Sequence, residues 1–235
     1  MWNSVEIIKH CKPKYVIWEN VKNVLSKKHK HNFDKYIKEL KELGYTNYYK
    51  VLNAKDFGVP QYRERIFVVS ILGKHKSYEF PRGFKLEKCV KDILEDSVED
   101  KYYLKEHFVN NFISNSNFSN IHNIKEERPI EMGFIKKSEN DTKHQSNTVY
   151  DVYNLCGALT AGEFKSPRMF FIKTKESVMI RKLTPLECWR LMGFTDEDFY
   201  KAKNVGVSNT QLYKQAGNSI VVNILGEIFK NLFLK

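Results

Sequence analysis

Residues 15–21 read YVIWENV, and residues 66–72 read IFVVSIL. The first stretch has four apolar residues in a row before a glutamate and an asparagine, and the second is apolar at all but one position. Continuous apolar runs of this length are typical of strands that are buried on both faces of a parallel sheet. We therefore predict two such strands, at Tyr15–Trp18 and Ile66–Leu72.

The residues between these two stretches predict a helix followed by another strand. Gly44 is a plausible stop for the helix, and residues 48–52 are the candidate for the strand. The helix is indicated by apolar residues at a spacing of three or four: Phe33, Tyr36, Ile37, Leu40 and Leu43. Strands that are separated by a helix predict an open α/β sheet.

The middle of the chain, from about residue 74 to residue 178, has only weak periodicity. Residues 110–123 are rich in asparagine and serine and are predicted to be a loop. Residues 149–161 and 169–173 are candidates for strands. This region is interpreted either as a recognition surface or as a poorly ordered insertion.

The last part of the chain has clear helix signals. Thr184, Pro185 and Glu187 form a capping box with a proline at the first helical position, and the helix is expected to stop at Gly193. A short helix is predicted to open at Ser208 and to end near Gly217. Ser219 is predicted to cap a final helix with a broad apolar stripe.

Composition favours a basic globular protein. Lysine and arginine total 39 against 28 aspartates and glutamates, a net charge of +11. Such a balance fits either a polyanionic partner or solubility alone. The four cysteines show no C-x-x-C pair and no histidine at zinc spacing, and no run of about 18 apolar residues exists. We therefore expect reduced thiols, no metal, no membrane span and a cytoplasmic location.

Four segments carry chemistry. Glu19-Asn20-Val21 places a carboxylate after a strand, at the sheet edge where α/β proteins bind ligands. Residues 61–65, QYRER, hold Arg63 and Arg65 two positions apart, which predicts that both point to one face of a strand. Taken singly, residues 181–194 are a well-capped helix and residues 213–222 are a turn before a helix N-terminus, where backbone N–H groups can bind a carboxylate or phosphate.

Together and in this order, the four segments resemble motifs of the bacterial DNA (cytosine-5) methyltransferases. The family patterns are E-N-V, Q-x-R-x-R, R-x-L-(T/H)-P-x-E-x-x-R-L-x-G-(F/Y) and Q-x-G-N-S-V. The resemblance runs from Pro13 to the end of the chain. Ile220 replaces the usual valine, and Ala158-Leu159 stands where the family usually has Thr-Leu.

The resemblance implies an α/β fold, a partial class I methyltransferase (Rossmann-like) sheet with an inserted target recognition lobe. Residues 1–73 would be the second half of the catalytic α/β domain. Residues 74–178 would be the target recognition domain, which reads double-stranded DNA through the major groove. Residues 179–235 would be a helical return to the catalytic domain.

The resemblance also implies roles for individual residues in methyl transfer from S-adenosylmethionine to a flipped-out cytosine. Glu19 matches the glutamate that hydrogen-bonds N3 and N4 of the cytosine, and Arg65 matches an arginine near O2 and the nucleophile. Arg63 completes the expected catalytic set.

Further residues match supporting positions in the family. Gln61 braces the cytosine pocket together with Arg63, and Asn20 and Val21 help shape it. Asn218 and Ser219 match residues that line the S-adenosylmethionine site.

The nucleophilic cysteine of the family lies in a Pro-Cys-Gln motif before the E-N-V strand, as does an F-x-G-x-G segment. No proline precedes any of the four cysteines here, and Cys11 stands before Lys12-Pro13, in the wrong order. We expect this chain to supply the E-N-V strand and two strands on one side, with its other edge open. The hypothesis is a subunit that is inactive alone and completed by a second polypeptide. The alternatives are a non-catalytic DNA-binding fragment and a truncated gene remnant.

Overall fold

The computed structural model describes residues 2–114, 128–136, 138, 140–175 and 177–234. It divides into two compact units. The first comprises Met1–Asn53, Glu64–Gly83 and Ile224–Lys235, and the second comprises Ala54–Arg63 and Phe84–Asn223. These boundaries differ from the three sequence-based ranges, because most of residues 179–235 belong to the same unit as the middle region.

Helices and strands alternate at the start of the chain, and helices dominate its end. The elements in chain order are α1 (Trp2–Cys11), β1 (Tyr15–Val21), α2 (Lys30–Glu42), β2 (Tyr45–Asn53), β3 (Gln61–Tyr62), β4 (Glu64–Leu72), α3 (Glu106–Ser114), β5 (Glu131–Phe134), β6 (Thr148–Asp151), β7 (Cys156–Gly157), β8 (Met169–Lys173), β9 (Val178–Lys182), α4 (Pro185–Arg190), α5 (Asp196–Asn204), α6 (Asn209–Asn218) and α7 (Val222–Phe233).

The first unit contains a three-stranded sheet in the order β1-β4-β2, and β4 runs antiparallel to both neighbours. The strand predicted at residues 66–72 is present and residues 66–71 are buried as expected, but the parallel pairing expected for it is wrong, because it runs antiparallel to both neighbours. The prediction that β1 is buried on both faces of a parallel sheet is wrong for the described residues. None of its seven residues is buried, because β4 is its only neighbour there. Among the described residues, β1 lies at the edge of this three-stranded sheet.

Helix α2 forms where the apolar spacing predicts it and packs on the sheet. Gly44 ends it with a positive φ of 91°, and its N–H donates to the carbonyl of Lys41 at 3.0 Å. Tyr36 and Leu40 are fully buried in a cluster that α1 also joins. The Trp18 ring of β1 lies 5.1 Å from the Tyr36 ring, which ties the edge strand to the helix layer.

The second unit contains a four-stranded sheet in the order β5-β6-β8-β9 and a two-stranded pairing of β3 with β7. The predicted strand at Met169–Lys173 is confirmed. Within residues 149–161, strand structure is limited to the β6 residues and to Cys156–Gly157.

The loop prediction for residues 110–123 is wrong for residues 110–114, which belong to α3. Val109 and Phe112 stand three residues apart and turn an apolar face to the core of the second unit, which outweighs the asparagine-rich composition. Residues 115–123 lie outside the described residues.

The capping box at α4 is confirmed, since the Thr184 hydroxyl accepts from the N–H of Glu187 and the Glu187 side chain bonds the N–H of Thr184. The short helix predicted from Ser208 is also present as α6. The prediction for Ser219 is wrong, because Ser219 is the C-cap of α6, with its N–H on the carbonyl of Ala216, and α7 begins only at Val222.

Replacing Leu40 with alanine should lower the free energy of unfolding by about 2–5 kcal/mol, because it empties a fully buried site between α2 and α1. Urea denaturation measures this change. Lys38→Ala on the exposed face of α2 is the matched control and should stay within about 0.5 kcal/mol of the unchanged chain. Equal effects of the two substitutions would show that this helix face is not packed as described.

Candidate functional site

The end of β1 holds an ion pair in the first unit. Nε of Arg65 lies 3.2 Å from Oε1 of Glu19, and the two side chains are 17% and 16% exposed. Burial lowers the pKa of Arg65, and the nearby charge of Glu19 partly offsets that effect. The guanidinium therefore holds the Glu19 carboxylate in place at the end of the strand.

Asn20 and Val21 complete the strand end. The side-chain oxygen of Asn20 accepts from the N–H of Val21 at 2.8 Å, which fixes the local backbone after Glu19. Val21 is exposed and forms a register pair with Arg65. The structure therefore places Glu19, Asn20, Val21 and Arg65 together, as the sequence predicts.

Gln61 is fully buried in the second unit and joins two segments of it. Its Nε2 donates to the carbonyl of Leu191 at 2.5 Å, and its Oε1 accepts from the N–H of Leu159 at 2.9 Å. Both ends of the amide are thus used by backbone groups. Gln61 therefore braces the chain around Leu159, and its match to a residue that braces the cytosine pocket stays a prediction.

Arg63 is buried, and its guanidinium binds backbone carbonyls. Nη1 donates to Leu159 at 2.7 Å, and Nη2 donates to Gly217 and Ser219, each at 3.1 Å. Arg63 lies between β3 and β4, outside a strand, so the expectation that it shares a strand face with Arg65 is wrong. Its hydrogen bonds to backbone carbonyls hold three segments of the chain in place.

The segment around Leu159 is held by two more charged residues that the sequence analysis missed. Nη2 of Arg168 donates to the carbonyl of Ala158 at 2.7 Å, and Glu163 accepts from the N–H of Thr160 at 3.2 Å. Arg168 and Glu163 are both buried and lie 3.4 Å apart. The Thr160-x-x-Glu163 spacing is a capping box, a local signal that could have revealed Glu163.

Gly217 packs against this segment so closely that no side chain fits. A Cβ on Gly217 would lie 2.2 Å from the backbone carbonyl of Thr160. Next to it, Asn218 is exposed at the end of α6, and the Ser219 hydroxyl donates to the carbonyl of Ile220 at 3.1 Å. An exposed amide on a backbone that Arg63 fixes offers both a donor and an acceptor, which suits a polar ligand.

The third motif is structural in its described contacts. Arg181 and Glu187 form a pair with 3% and 0% exposure, and Nη2 lies 2.5 Å from Oε1. Glu187 also accepts from the backbone N–H of Glu95 at 2.8 Å and from that of Thr184 at 2.8 Å. Buried charges need such complete pairing, and here it anchors α4.

Three of the four cysteines lie where the protein raises the pKa of the thiol. Burial raises the pKa of Cys156 to about 12 and raises that of Cys188 well above its usual value. Burial and the Asp92 carboxylate raise the pKa of Cys89. Cys11 is the exposed last residue of α1.

The described part of the chain contains no group of three or more histidine, cysteine, aspartate or glutamate side chains arranged to hold a metal ion. None of the helices in the described ranges combines the length and apolar character that crossing a bilayer requires.

Residues 1–234 match the family described as C-5 cytosine-specific DNA methylase. The chain belongs to this family. It is 40% identical over 235 residues to the type II methyltransferase M2.ScrFI of Lactococcus lactis subsp. cremoris, covering 99% of this chain and 58% of the relative. It is 35% identical to the type II methyltransferase M.SsoII of Shigella sonnei, covering 98% of this chain and 56% of the relative. The chain thus spans less than two thirds of either protein.

Solved structures support the fold. The chain superposes on the Dnmt2 methyltransferase of S. pombe with a TM-score of 0.68 at 17% identity, covering 99% of this chain and 72% of that one. The Entamoeba histolytica methyltransferase EhMeth gives a TM-score of 0.64 at 18% identity, covering 95% and 64%. The chain thus has an α/β methyltransferase fold, and S-adenosylmethionine is the methyl donor of its family.

Substituting Gly217 with alanine should destabilise the methylase by more than about 2 kcal/mol, because the new methyl group meets the Thr160 backbone. Thermal unfolding measures the loss. Gly226→Ala is the matched control, since Gly226 lies in α7 with nothing within 4 Å of a new Cβ. Alanine there should be neutral or stabilising by about 0.5–1 kcal/mol. A wild-type melting temperature for Gly217→Ala would contradict the close approach.

Proposed function

We propose that this chain is the cytosine-binding and DNA-reading part of a DNA (cytosine-5) methyltransferase that acts on double-stranded DNA in the cytoplasm. The observation that carries the proposal is the partly exposed Glu19–Arg65 pair at the end of β1. Both residues occupy positions of family motifs, and the relatives M2.ScrFI and M.SsoII are type II methyltransferases.

In the proposed mechanism, Glu19 binds the edge of a cytosine that has left the base stack. The carboxyl group hydrogen-bonds N3 and the N4 amino group, and proton sharing at N3 makes C6 more electrophilic. Arg65 holds Glu19 at 3.2 Å and directs a guanidinium N–H toward O2. Gln61 and Arg63 fix the backbone of the second unit.

Asn218 and Ser219 are the residues of this chain that would hold S-adenosylmethionine. The Asn218 amide is exposed, and the Ser219 carbonyl is held by Arg63, so the backbone there is fixed. When bound, this cofactor supplies the methyl group.

The thiolate that adds to C6 is proposed to come from a second polypeptide carrying the Pro-Cys-Gln motif. Two observations support this. Three of the four cysteines, Cys89, Cys156 and Cys188, lie in environments that raise the pKa of the thiol, and Cys11 does not follow a proline as the family cysteine does. The edge strand β1 pairs only with β4 among the described residues, so it can accept another strand.

Methyl transfer can be tested by mixing the chain with the Pro-Cys-Gln-bearing half of a related methyltransferase, S-adenosylmethionine and duplex DNA. The mixture should transfer methyl groups, and Glu19→Gln should reduce the rate about 100-fold or more, because it removes the acid that acts at N3. Glu42→Gln on the exposed surface of α2 is the control and should keep the rate.

The same assay tests whether the chain needs a partner. The chain alone should show no methyl transfer above background, measured by incorporation of labelled methyl groups into DNA. Full activity of the chain alone would contradict the partner, and an unchanged rate for Glu19→Gln would contradict the role of that carboxylate.

A second candidate function is DNA binding without catalysis. It is favoured by the net charge of +11 and by a basic surface in the second unit. There the ammonium groups of Lys214 and Lys165 lie 4.9 Å and 5.7 Å from the centre of the Phe164 ring. Both cations thus contact the same aromatic side chain, and each can bind a DNA phosphate.

Lys165→Gln combined with Lys214→Gln should therefore weaken duplex binding and lower the slope of log affinity against log salt by about 2, one for each lost phosphate contact. Fluorescence anisotropy at several salt concentrations measures both. Lys41→Gln with Lys50→Gln in the first unit is the control and should leave the slope unchanged. If both double variants gave the same slope, Lys165 and Lys214 would not belong to the surface that binds DNA.

A further inference from the structure

The first unit contains a cavity of about 450 Å³ at the end of the sheet where β1 begins. Its walls come from the start of β1, from the segment that follows β4 and from the C-terminal part of α7. Polar side chains line the cavity, among them Lys14, Lys74, Lys76, Tyr78 and Asn231. This volume lies in the range of pockets that hold small ligands.

The cavity is separate from the Glu19–Arg65 pair. Lys14 precedes Glu19 by five residues along an extended strand, which corresponds to roughly 17 Å. Glu19 stands near the C-terminal end of β1, and the cavity adjoins its N-terminal end. The two sites can therefore bind different groups at the same time.

Lysines give the cavity a positive charge. Nζ of Lys14 donates to the carbonyls of Leu72 at 2.5 Å and of Lys74 at 3.3 Å, so its ammonium group is held in place. Neither Lys14, Lys74 nor Lys76 forms an ion pair with a carboxylate among the described residues. Glu79 also lines the cavity, so three lysines stand against one acid.

Tyr78 is a buried donor in the wall of the cavity. Its side chain is held by the Tyr48 ring at 5.6 Å and the Phe80 ring at 5.1 Å. The residue is 6% exposed, and its hydroxyl makes no hydrogen bond within the described part of the chain. A buried hydroxyl without a partner costs free energy, which a ligand oxygen would recover. Burial raises the pKa of Tyr78, so the hydroxyl keeps its proton as a donor.

The imidazole of His75, also in the wall, is already engaged. Its Nδ1 lies 2.7 Å from the carbonyl of Gly73, and its Nε2 lies 3.3 Å from the hydroxyl of Tyr48. Both ring nitrogens are therefore already hydrogen-bonded within the protein. The donors that remain for a ligand are the lysines and Tyr78.

We infer that this cavity is a binding site for a phosphate group, with Lys14, Lys74 and Lys76 as its cations and the Tyr78 hydroxyl as its neutral donor. Lysine ammonium groups bind phosphate as point charges, and a hydroxyl donor sets the direction of one oxygen. The same chemistry fits a small phosphorylated molecule and a phosphate of the DNA backbone.

Inorganic pyrophosphate is the probe for the test, titrated into the full chain by calorimetry. Lys74→Gln with Lys76→Gln should weaken pyrophosphate binding about tenfold or more, because two unpaired cations are lost. Lys41→Gln with Lys50→Gln changes the net charge equally on exposed positions outside the cavity and should leave the affinity within about twofold.

The Tyr78→Phe variant tests whether the hydroxyl takes part in pyrophosphate binding while the fold is kept. It removes the unpartnered hydroxyl and keeps the ring, so the melting temperature without ligand should be unchanged or higher. The rise in melting temperature that pyrophosphate gives the unchanged chain should be smaller in this variant. An equal rise in both proteins would exclude the Tyr78 hydroxyl from the site.

A short DNA duplex distinguishes the two sources of phosphate. If the cavity holds a backbone phosphate, Lys74→Gln with Lys76→Gln will weaken duplex binding and pyrophosphate will compete with DNA. If it holds a small molecule, pyrophosphate binding will fall and duplex binding will not. Absence of pyrophosphate binding at about 1 mM together with unchanged duplex binding would overturn the inference. None of these measurements depends on methyl transfer.

Discussion

The buried guanidinium of Arg63 is the contact on which the second unit depends. It donates to three backbone carbonyls, from Leu159, Gly217 and Ser219, which lie 96 to 156 positions away along the chain. A buried cation is costly unless its donors are engaged, and here backbone carbonyls accept from both terminal nitrogens of the guanidinium. The Q-x-R-x-R and Q-x-G-N-S motifs are therefore parts of one hydrogen-bonded structure. The glycine of the second motif is required because the Thr160 backbone occupies the space of a side chain.

Local patterns predicted the elements that depend on local physics. The helix ending at Gly44, the strand at residues 66–72 and the capping box at Thr184 all follow from spacing and from backbone hydrogen bonding within a few residues. The Arg63 contacts could not be predicted in this way, because they join residues far apart in sequence. The apolar run of β1 was misjudged for a related reason: an apolar run shows what a strand can bury, and burial itself depends on its neighbours.

Exposure separates three arginine–glutamate pairs found among the described residues. The pairs Arg181–Glu187 and Arg168–Glu163 are almost completely shielded from solvent. The backbone N–H groups of Thr184 and Thr160 also donate to the two carboxylates. Such pairs hold a fold in register and leave little for a ligand. Glu19–Arg65 is 16–17% exposed, at the end of an edge strand. Of these three pairs, this one combines a fixed carboxylate with access from outside, and for that reason we propose it as the place where cytosine binds.

The position of that pair also bears on what completes the site. β1 is bonded on one side by β4, while its residues remain half-exposed. A strand added at the open edge would form backbone bonds with β1 and would bring its own C-terminal end next to Glu19 if it ran parallel. Ligand groups of an α/β sheet collect at such ends. The same added strand would therefore cover the edge and deliver a nucleophile beside the carboxylate, so stability and chemistry would be supplied by one contact.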